Sequence, residues 1–213
     1  MNYKKIIIQA GKQMLKENLT VQTWGNISLK DPKSKKIYIT PSGMSYASIQ
    51  EDDICVLDLS GKQIAGKRKP SVELLMHVQI YQARPDVLAI LHTHPLCSSV
   101  FGVLHQSIPV INDELAQANG GSVDVTNYAL PGTATLASNV VKALGNKKAC
   151  LIANHGAVCV GNDISQCFKV STVLETTAQI YQMSLAVGKP TTISNKDVEY
   201  MYDFAQNHYG QRK

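Results

Sequence analysis

The chain alternates between stretches where apolar residues recur every three or four positions and short runs that are apolar throughout. Residues 2–18 carry Ile6, Ile7, Ala10, Met14 and Leu15 at helical spacing, which predicts an amphipathic helix. Residues 26–29 and 36–40 read as strands separated by the turn-rich Asp31-Pro32-Lys33-Ser34. Residues 54–58 and 63–64 read as a hairpin turning at Ser60-Gly61. A helix over 71–83 with Ser71 as its N-cap leads through Arg84-Pro85-Asp86 into a buried strand over 87–92. Helix 96–104, a short strand at 109–111, a helical turn from Asp113 and a short strand at 123–125 follow. Helix 133–144, strands 149–153 and 157–160, and helices 165–185 and 197–207 complete the chain. Helices and strands mix without strict βαβ alternation, and tight turns join several strands. That pattern predicts an α/β fold of three layers, a largely antiparallel sheet flanked by helices, in one domain spanning residues 1–213.

Composition narrows the function. The 213 residues are 44% hydrophobic, enough for a full core, and no run of 18 apolar residues is present to span a membrane. Two lysines and a brief apolar run open the chain, but Gln9 and Gly11-Lys12-Gln13 stand where a signal peptide would stay apolar. The net charge of +5 is dispersed, with no basic stripe interleaved with aromatics of the kind that binds nucleic acid. Five cysteines, an odd number without a Cys-x-x-Cys, lie mostly in or beside apolar runs. This is the usage of a reducing, cytoplasmic setting.

The chemistry concentrates in Ala89-Ile90-Leu91-His92-Thr93-His94-Pro95. Residues two apart on a strand share a face, so His92 and His94 can offer two imidazoles to one ion. Pro95 stops the ladder directly after them. His155 stands in an equivalent place, in Asn154-His155-Gly156 after the apolar run 149–153. Three neutral imidazoles with a coordination position left open is the arrangement of catalytic zinc, although imidazoles also suit other divalent first-row metals. Glu73 near the start of helix 71–83 has a sufficient structural reason in the helix dipole, so its spacing alone leaves a metal role and a structural role equally open. His77, one turn on, reads as a packed histidine behind the site, and His105 and His208 have no partners in the sequence.

The ordered set Thr23-Trp24-Gly25-Asn26-Ile27-Ser28, Thr40-Pro41-Ser42-Gly43, Lys69-Pro70-Ser71-Val72-Glu73, His92-Thr93-His94, Asn154-His155-Gly156 and Tyr209-Gly210 resembles the class II aldolase/adducin-head superfamily, and within it the fuculose-1-phosphate aldolases. The resemblance runs over roughly residues 5–210. It implies a metal-dependent aldolase that cleaves a ketose 1-phosphate to dihydroxyacetone phosphate and an aldehyde. It implies Zn2+ held by His92, His94 and His155, with Glu73 as a fourth ligand able to act as acid/base. It further implies a phosphate pocket from Asn26, Ser42, Gly43 and Ser71, and a homotetramer in which Tyr209 reaches a neighbour's site. Main-chain N–H groups around Gly25 and Gly43 and the start of the helix at Ser71 would serve such a pocket.

Two positions depart from the pattern. Val72 stands where those enzymes carry a second serine, which removes a hydroxyl from the phosphate pocket. Glu114, in Ile111-Asn112-Asp113-Glu114-Leu115, aligns with their tyrosine acid. Glu114 or Tyr209 could move the proton at the aldehyde end, and Asn112, Glu114, Tyr128 and Tyr209 would shape the pocket for the sugar. The Asp113-Glu114 pair keeps related reactions open: a methylthioribulose-phosphate dehydratase, a 3-oxo sugar-acid decarboxylase and, with the same enediolate, a sugar-phosphate 4-epimerase. A non-enzymatic adducin-like scaffold would predict a degraded metal set, whereas all four residues are present.

Overall fold

The computed structural model describes residues 1–211. A seven-stranded sheet forms the middle layer: β1 (Asn26–Lys30), β2 (Ile37–Ile39), β3 (Cys55–Leu57), β4 (Gln63–Ala65), β5 (Ala89–Thr93), β6 (Ala149–Ile152) and β7 (Gly156–Gly161), in the order β4-β3-β2-β1-β5-β7-β6. Every neighbouring pair is antiparallel. One face is covered by α1 (Tyr3–Lys16), α3 (Leu96–Leu104), α4 (Asp113–Asn119), α6 (Ile164–Val187) and α7 (Asn195–Asn207), and the other by α2 (Leu74–Ala83) and α5 (Ala134–Leu144). No helix among the described residues is long and apolar enough to cross a membrane. All five cysteines are free thiols, and four are buried.

β5 up to His92 and β7 throughout are apolar on both faces, and their alternation sorts the two cores. Ala89 and Leu91 of β5, with Ala157 and Cys159 of β7, pack toward α1 and α6, while Ile90, Val158 and Val160 pack toward α2 and α5. A two-residue period feeding two buried faces leaves no polar side, which is why these segments read as continuous apolar runs. Helix α1 buries Ile7, Ala10, Gly11 and Met14, a single stripe, and Asn2 caps it by accepting from the Lys5 N–H at 3.1 Å.

The expected elements are present with three differences. Helix α2 begins at Leu74 rather than at Ser71, with Glu73 at the N-cap position. The chain before it is held extended: Pro41 bridges Pro70, the Ser42 N–H donates to the Lys69 carbonyl at 2.9 Å, and the Ser71 N–H donates to the Thr40 carbonyl at 3.1 Å. Helical geometry cannot start until those bonds are left behind. Ser71 still contributes, its Oγ accepting from the Glu73 N–H at 3.3 Å. The strands expected at 109–111 and 123–125 reduce to isolated bridges, Ile108 with Val123 and Val125 with Leu151. Pro109 has no N–H to extend the first ladder. The second bridge covers the open edge of β6, with the Leu151 N–H donating to Asp124 at 2.8 Å and Thr126 donating back at 2.9 Å.

The site hangs on the register of β5. Asn26 pairs with His92 across β1/β5, and His92 and Thr93 pair with Val158 and Ala157 across β5/β7. Both neighbouring chains come very close at this end. A Cβ on Gly25 would lie 2.5 Å from the His92 carbonyl oxygen, and one on Gly156 would strike the Thr93 carbonyl. Ile90, wholly buried in the middle of β5, anchors the register. Ile90→Ala is expected to lower stability by about 2–5 kcal/mol, the range for truncating a buried isoleucine. The check is a fall in denaturant midpoint with an unchanged slope at fixed protein concentration.

Candidate metal centre and its cleft

His92, the last inward residue of β5, is fully buried on the α2 face. Its Nδ1–H donates to the Ala157 carbonyl at 2.9 Å, which turns the Nε2 lone pair away from the sheet. His94 lies just past the strand, where its N–H donates to the Leu19 carbonyl at 2.8 Å and holds the main chain. His155 sits in the turn between β6 and β7, formed by Asn154 in the left-handed region with φ of 54°. The three rings pack edge to face, their centroids 4.8–4.9 Å apart, and their ligating nitrogens lie within 4.8 Å of one another. The Nε2 atoms of His92 and His94 approach to 3.1 Å.

Glu73 completes the cluster. Its Oε2 lies 3.0 Å from His92 Nε2 and accepts from Asn26 Nδ2 at 2.8 Å. Its Oε1 is 3.8 Å from His155 Nδ1, too far for a hydrogen bond, and both of these buried atoms lack a partner among the described residues. Buried polar atoms are almost always satisfied, so two orphans facing one point, beside two nitrogens in close approach, is the signature of a cation site. The charges agree. Burial raises the Glu73 carboxyl, but His92, His155 and the Asn26 amide outweigh it and hold the group well below the usual carboxylate range. Burial, then the neighbouring His92 and His155, push His94 down to about 3. Burial and His92 bring His155 down to about 4 against the opposing pull of Glu73. Both rings are therefore neutral at neutral pH, the form in which an imidazole can hold a metal. Three imidazoles and a carboxylate suit Zn2+ or another first-row divalent ion.

The cluster floors a cleft of ≈ 230 Å³ lined by Asn26, Ser42, Gly43, Ser71, Glu73, His94 and His155, among others. The structure thus brings together the expected metal set and the four expected anion-site residues. The donors differ from expectation. The N–H groups of Ser42 and Ser71 are taken by the extended pairing before α2, and the Leu74 N–H donates to the Ser71 carbonyl. The hydroxyls of Ser42 and Ser71 and the second Nδ2 hydrogen of Asn26 remain to serve an anion, while Gly43, with φ of 66°, leaves open space where a Cβ would stand. Val72 lines the same cleft, 66% exposed.

Glu114 and Tyr209 are not brought to the cleft within one chain. Glu114 is exposed beside a groove between α4 and α6 that also takes Thr176 and Ile180. Tyr209 is exposed and packs edge-on against Phe204. Asn112 caps α4, accepting from the Leu115 N–H at 3.2 Å, and Tyr128 is exposed.

Several contributors were not legible in the sequence. Trp24 lies 5.7 Å from the His94 ring and walls the cleft. His105 meets the Asn154 side chain at 2.6 Å and braces the turn that carries His155. Glu175 of α6 caps α3 directly after His94-Pro95, accepting from the N–H groups of Cys97 at 2.6 Å and Ser98 at 2.8 Å. Trp24 sits inside a recognised motif, but nothing in spacing marks it as a wall. The other two act across 49 and 78 residues of chain.

Residues 5–182 match the family model for the class II aldolase and adducin N-terminal domain. The chain is 34% identical over 206 residues to a 5-deoxy-D-ribulose 1-phosphate aldolase of Bacillus thuringiensis serovar kurstaki, covering 97% of this chain and 96% of that protein. It is 33% identical over 187 residues to an L-fuculose phosphate aldolase of Escherichia coli K12, covering 88% and 86%. A solved L-fuculose 1-phosphate aldolase superposes with a TM-score of 0.93 at 34% identity, over 96% of each chain. With the family model matched over most of its length and relatives alike end to end, the chain belongs to the class II aldolase and adducin N-terminal domain family.

Proposed function

We propose that this protein is a divalent-metal-dependent aldolase that reversibly cleaves a ketose 1-phosphate to dihydroxyacetone phosphate and an aldehyde. The observation that carries the reading is the convergence of His92, His94, His155 and Glu73 on one point at the floor of an open cleft. The similar 5-deoxy-D-ribulose 1-phosphate and L-fuculose 1-phosphate aldolases are named for ketose 1-phosphates that differ in the tail.

His92, His94 and His155 would hold Zn2+, which supplies Lewis-acid polarisation of a carbonyl and offsets negative charge developing beside it. The serine hydroxyls and the free Asn26 hydrogen would seat the phosphate with neutral donors, since no lysine or arginine among the described residues lines the cleft. Glu73, ionised and with Oε1 free, is set up as the base in the condensation direction. There it takes a proton from the hydroxyl-bearing carbon of dihydroxyacetone phosphate. In the cleavage direction a base at the aldehyde end takes the C4 hydroxyl proton as the C3–C4 bond breaks, and the Glu73 carboxyl, having taken up a proton from water, delivers it to C3. Glu114 and Tyr209, remote from the cleft of their own chain, would serve the aldehyde end of a neighbouring subunit's cleft in a homotetramer.

Incubation with L-fuculose 1-phosphate and 5-deoxyribulose 1-phosphate should release dihydroxyacetone phosphate, read by coupled reduction with NADH. Chelator should abolish the activity and Zn2+ restore it; turnover that survives full metal removal would end this reading. His94→Ala should lose bound metal by elemental analysis and cut kcat/KM by about 1000-fold or more, the several kcal/mol that Lewis-acid assistance supplies. Val72→Ser adds a hydroxyl at the exposed edge of the cleft. It should lower KM for the phosphorylated ketose by about tenfold at unchanged kcat, as expected of one hydrogen bond to a charged group gained equally in ground and transition states. An unchanged KM would place the phosphate elsewhere.

A further inference from the structure

Between β1 and α2 lies a row of polar side chains of which the proposed chemistry uses only the Asn26 and Glu73 end. Tyr81, Ser28, His77, Asn26 and Glu73 are each at most 4% exposed. They form one unbroken line: Tyr81 Oη to Ser28 Oγ at 2.8 Å, Ser28 Oγ to His77 Nδ1 at 2.6 Å, His77 Nε2 to Asn26 Oδ1, and Asn26 Nδ2 to Glu73 Oε2 at 2.8 Å. Burying so many polar groups is costly unless every one is satisfied, and here they satisfy each other in series.

The direction of each bond follows from the carboxylate. Ionised Glu73 only accepts, so Asn26 must turn its NH2 toward it and its carbonyl toward His77. His77 must then donate from Nε2. Burial pushes its pKa down to about 3 despite Glu73, so the ring is neutral and has only that proton. Nδ1 must accept, which assigns the Ser28 proton to it, and Ser28 must in turn accept from the Tyr81 phenol. Burial raises that phenol well above its ordinary pKa and keeps its proton on. Turning the Asn26 amide over would set its carbonyl against the carboxylate and its NH2 against the His77 N–H. Two repulsions would replace two bonds.

We propose that His77 is a positioning residue: through a one-way line of donors from Tyr81 and Ser28 it locks the Asn26 amide in the orientation that holds Glu73 Oε2, leaving Oε1 free for the metal centre. The proposal rests on the metal-centre reading above, but not on the identity of the sugar. His77 touches no substrate and acts only through Asn26.

Two variants of matched polarity separate this role from simple core packing. The amide of His77→Gln places a donor where Nε2 stands, whereas His77→Asn keeps a group near Nδ1 and loses the donor to Asn26. His77→Asn is expected to weaken Zn2+ binding, measured on the protein by chelator competition, and to lower kcat by about 10–100-fold each, the usual effect of losing a group that orients a ligand. KM for the ketose phosphate should rise by no more than about threefold, less than kcat falls, because the Ser42 and Ser71 hydroxyls are untouched and only the Asn26 hydrogen is shared with the anion. His77→Gln should remain within about threefold of wild type in both readouts. Equal behaviour of the two variants, wild-type affinity in His77→Asn, or a loss confined to KM would overturn the proposal. Nitrogen-15 NMR of the wild-type protein provides a measurement that needs no variant to fold: His77 must be the neutral Nε2–H tautomer, and an Nδ1–H tautomer or an imidazolium refutes the line of donors. A wild type that binds Zn2+ and cleaves no ketose phosphate would sink the proposed reaction alone, leaving the relay to be judged by the affinity ranking and the tautomer.

Discussion

The molecule turns on how tightly the end of β5 is clamped. Gly25 and Gly156 lie against the carbonyls of His92 and Thr93, where any side chain would meet main-chain oxygen that cannot move aside. Only residues without a Cβ let both neighbouring chains come this close. That approach sets Asn26 opposite His92, brings the Ala157 carbonyl to His92 Nδ1, and delivers His155 beside the other two rings. The glycines are thus as much a part of the centre as the imidazoles.

The same strand serves stability and chemistry. Ala89 and Leu91 bury themselves toward α1 and α6, and Ile90 toward α2 and α5. His92 continues the α2 side as the first polar residue of that row. A carboxylate can be buried there because the histidines and Asn26 compensate it. The remaining orphan atoms, Glu73 Oε1 and His155 Nδ1, face the point at which the proposed cation would complete the compensation. Elements distant in the chain hold this end still: Glu175 from α6 at the start of α3, His105 at the Asn154 turn, and the Tyr46 hydroxyl donating to the Gly25 carbonyl at 2.7 Å.

Where expectation and structure part, the cause is a hydrogen bond between distant segments. Helix propensity and a good capping residue favour a start at Ser71, yet pairing of 69–71 with 40–42 keeps those residues extended and moves Glu73 to the cap. That shift also turns the N–H groups of Glu73 and Leu74 back onto Ser71, so a helix start no longer offers them to an anion. Strand-like 109–111 and 123–125 make isolated bridges: Pro109 has no N–H to extend the pairing of Ile108 with Val123, and Val125 meets the β6 edge at Leu151 alone.

The order of elements, the layered antiparallel fold, the three histidines and the residues of the anion cleft could all be read along the chain. Each depends on local periodicity or on short ordered motifs, which survive in one dimension. The partners of His77, the bracing by His105 and Glu175, the wall formed by Trp24, and the separation of Glu114 from its own chain's cleft could not. These depend on which faces meet after the sheet has assembled, and on hydrogen bonds across 49 to 78 positions. No spacing rule reaches that far, because the geometry is set by packing rather than by sequence separation.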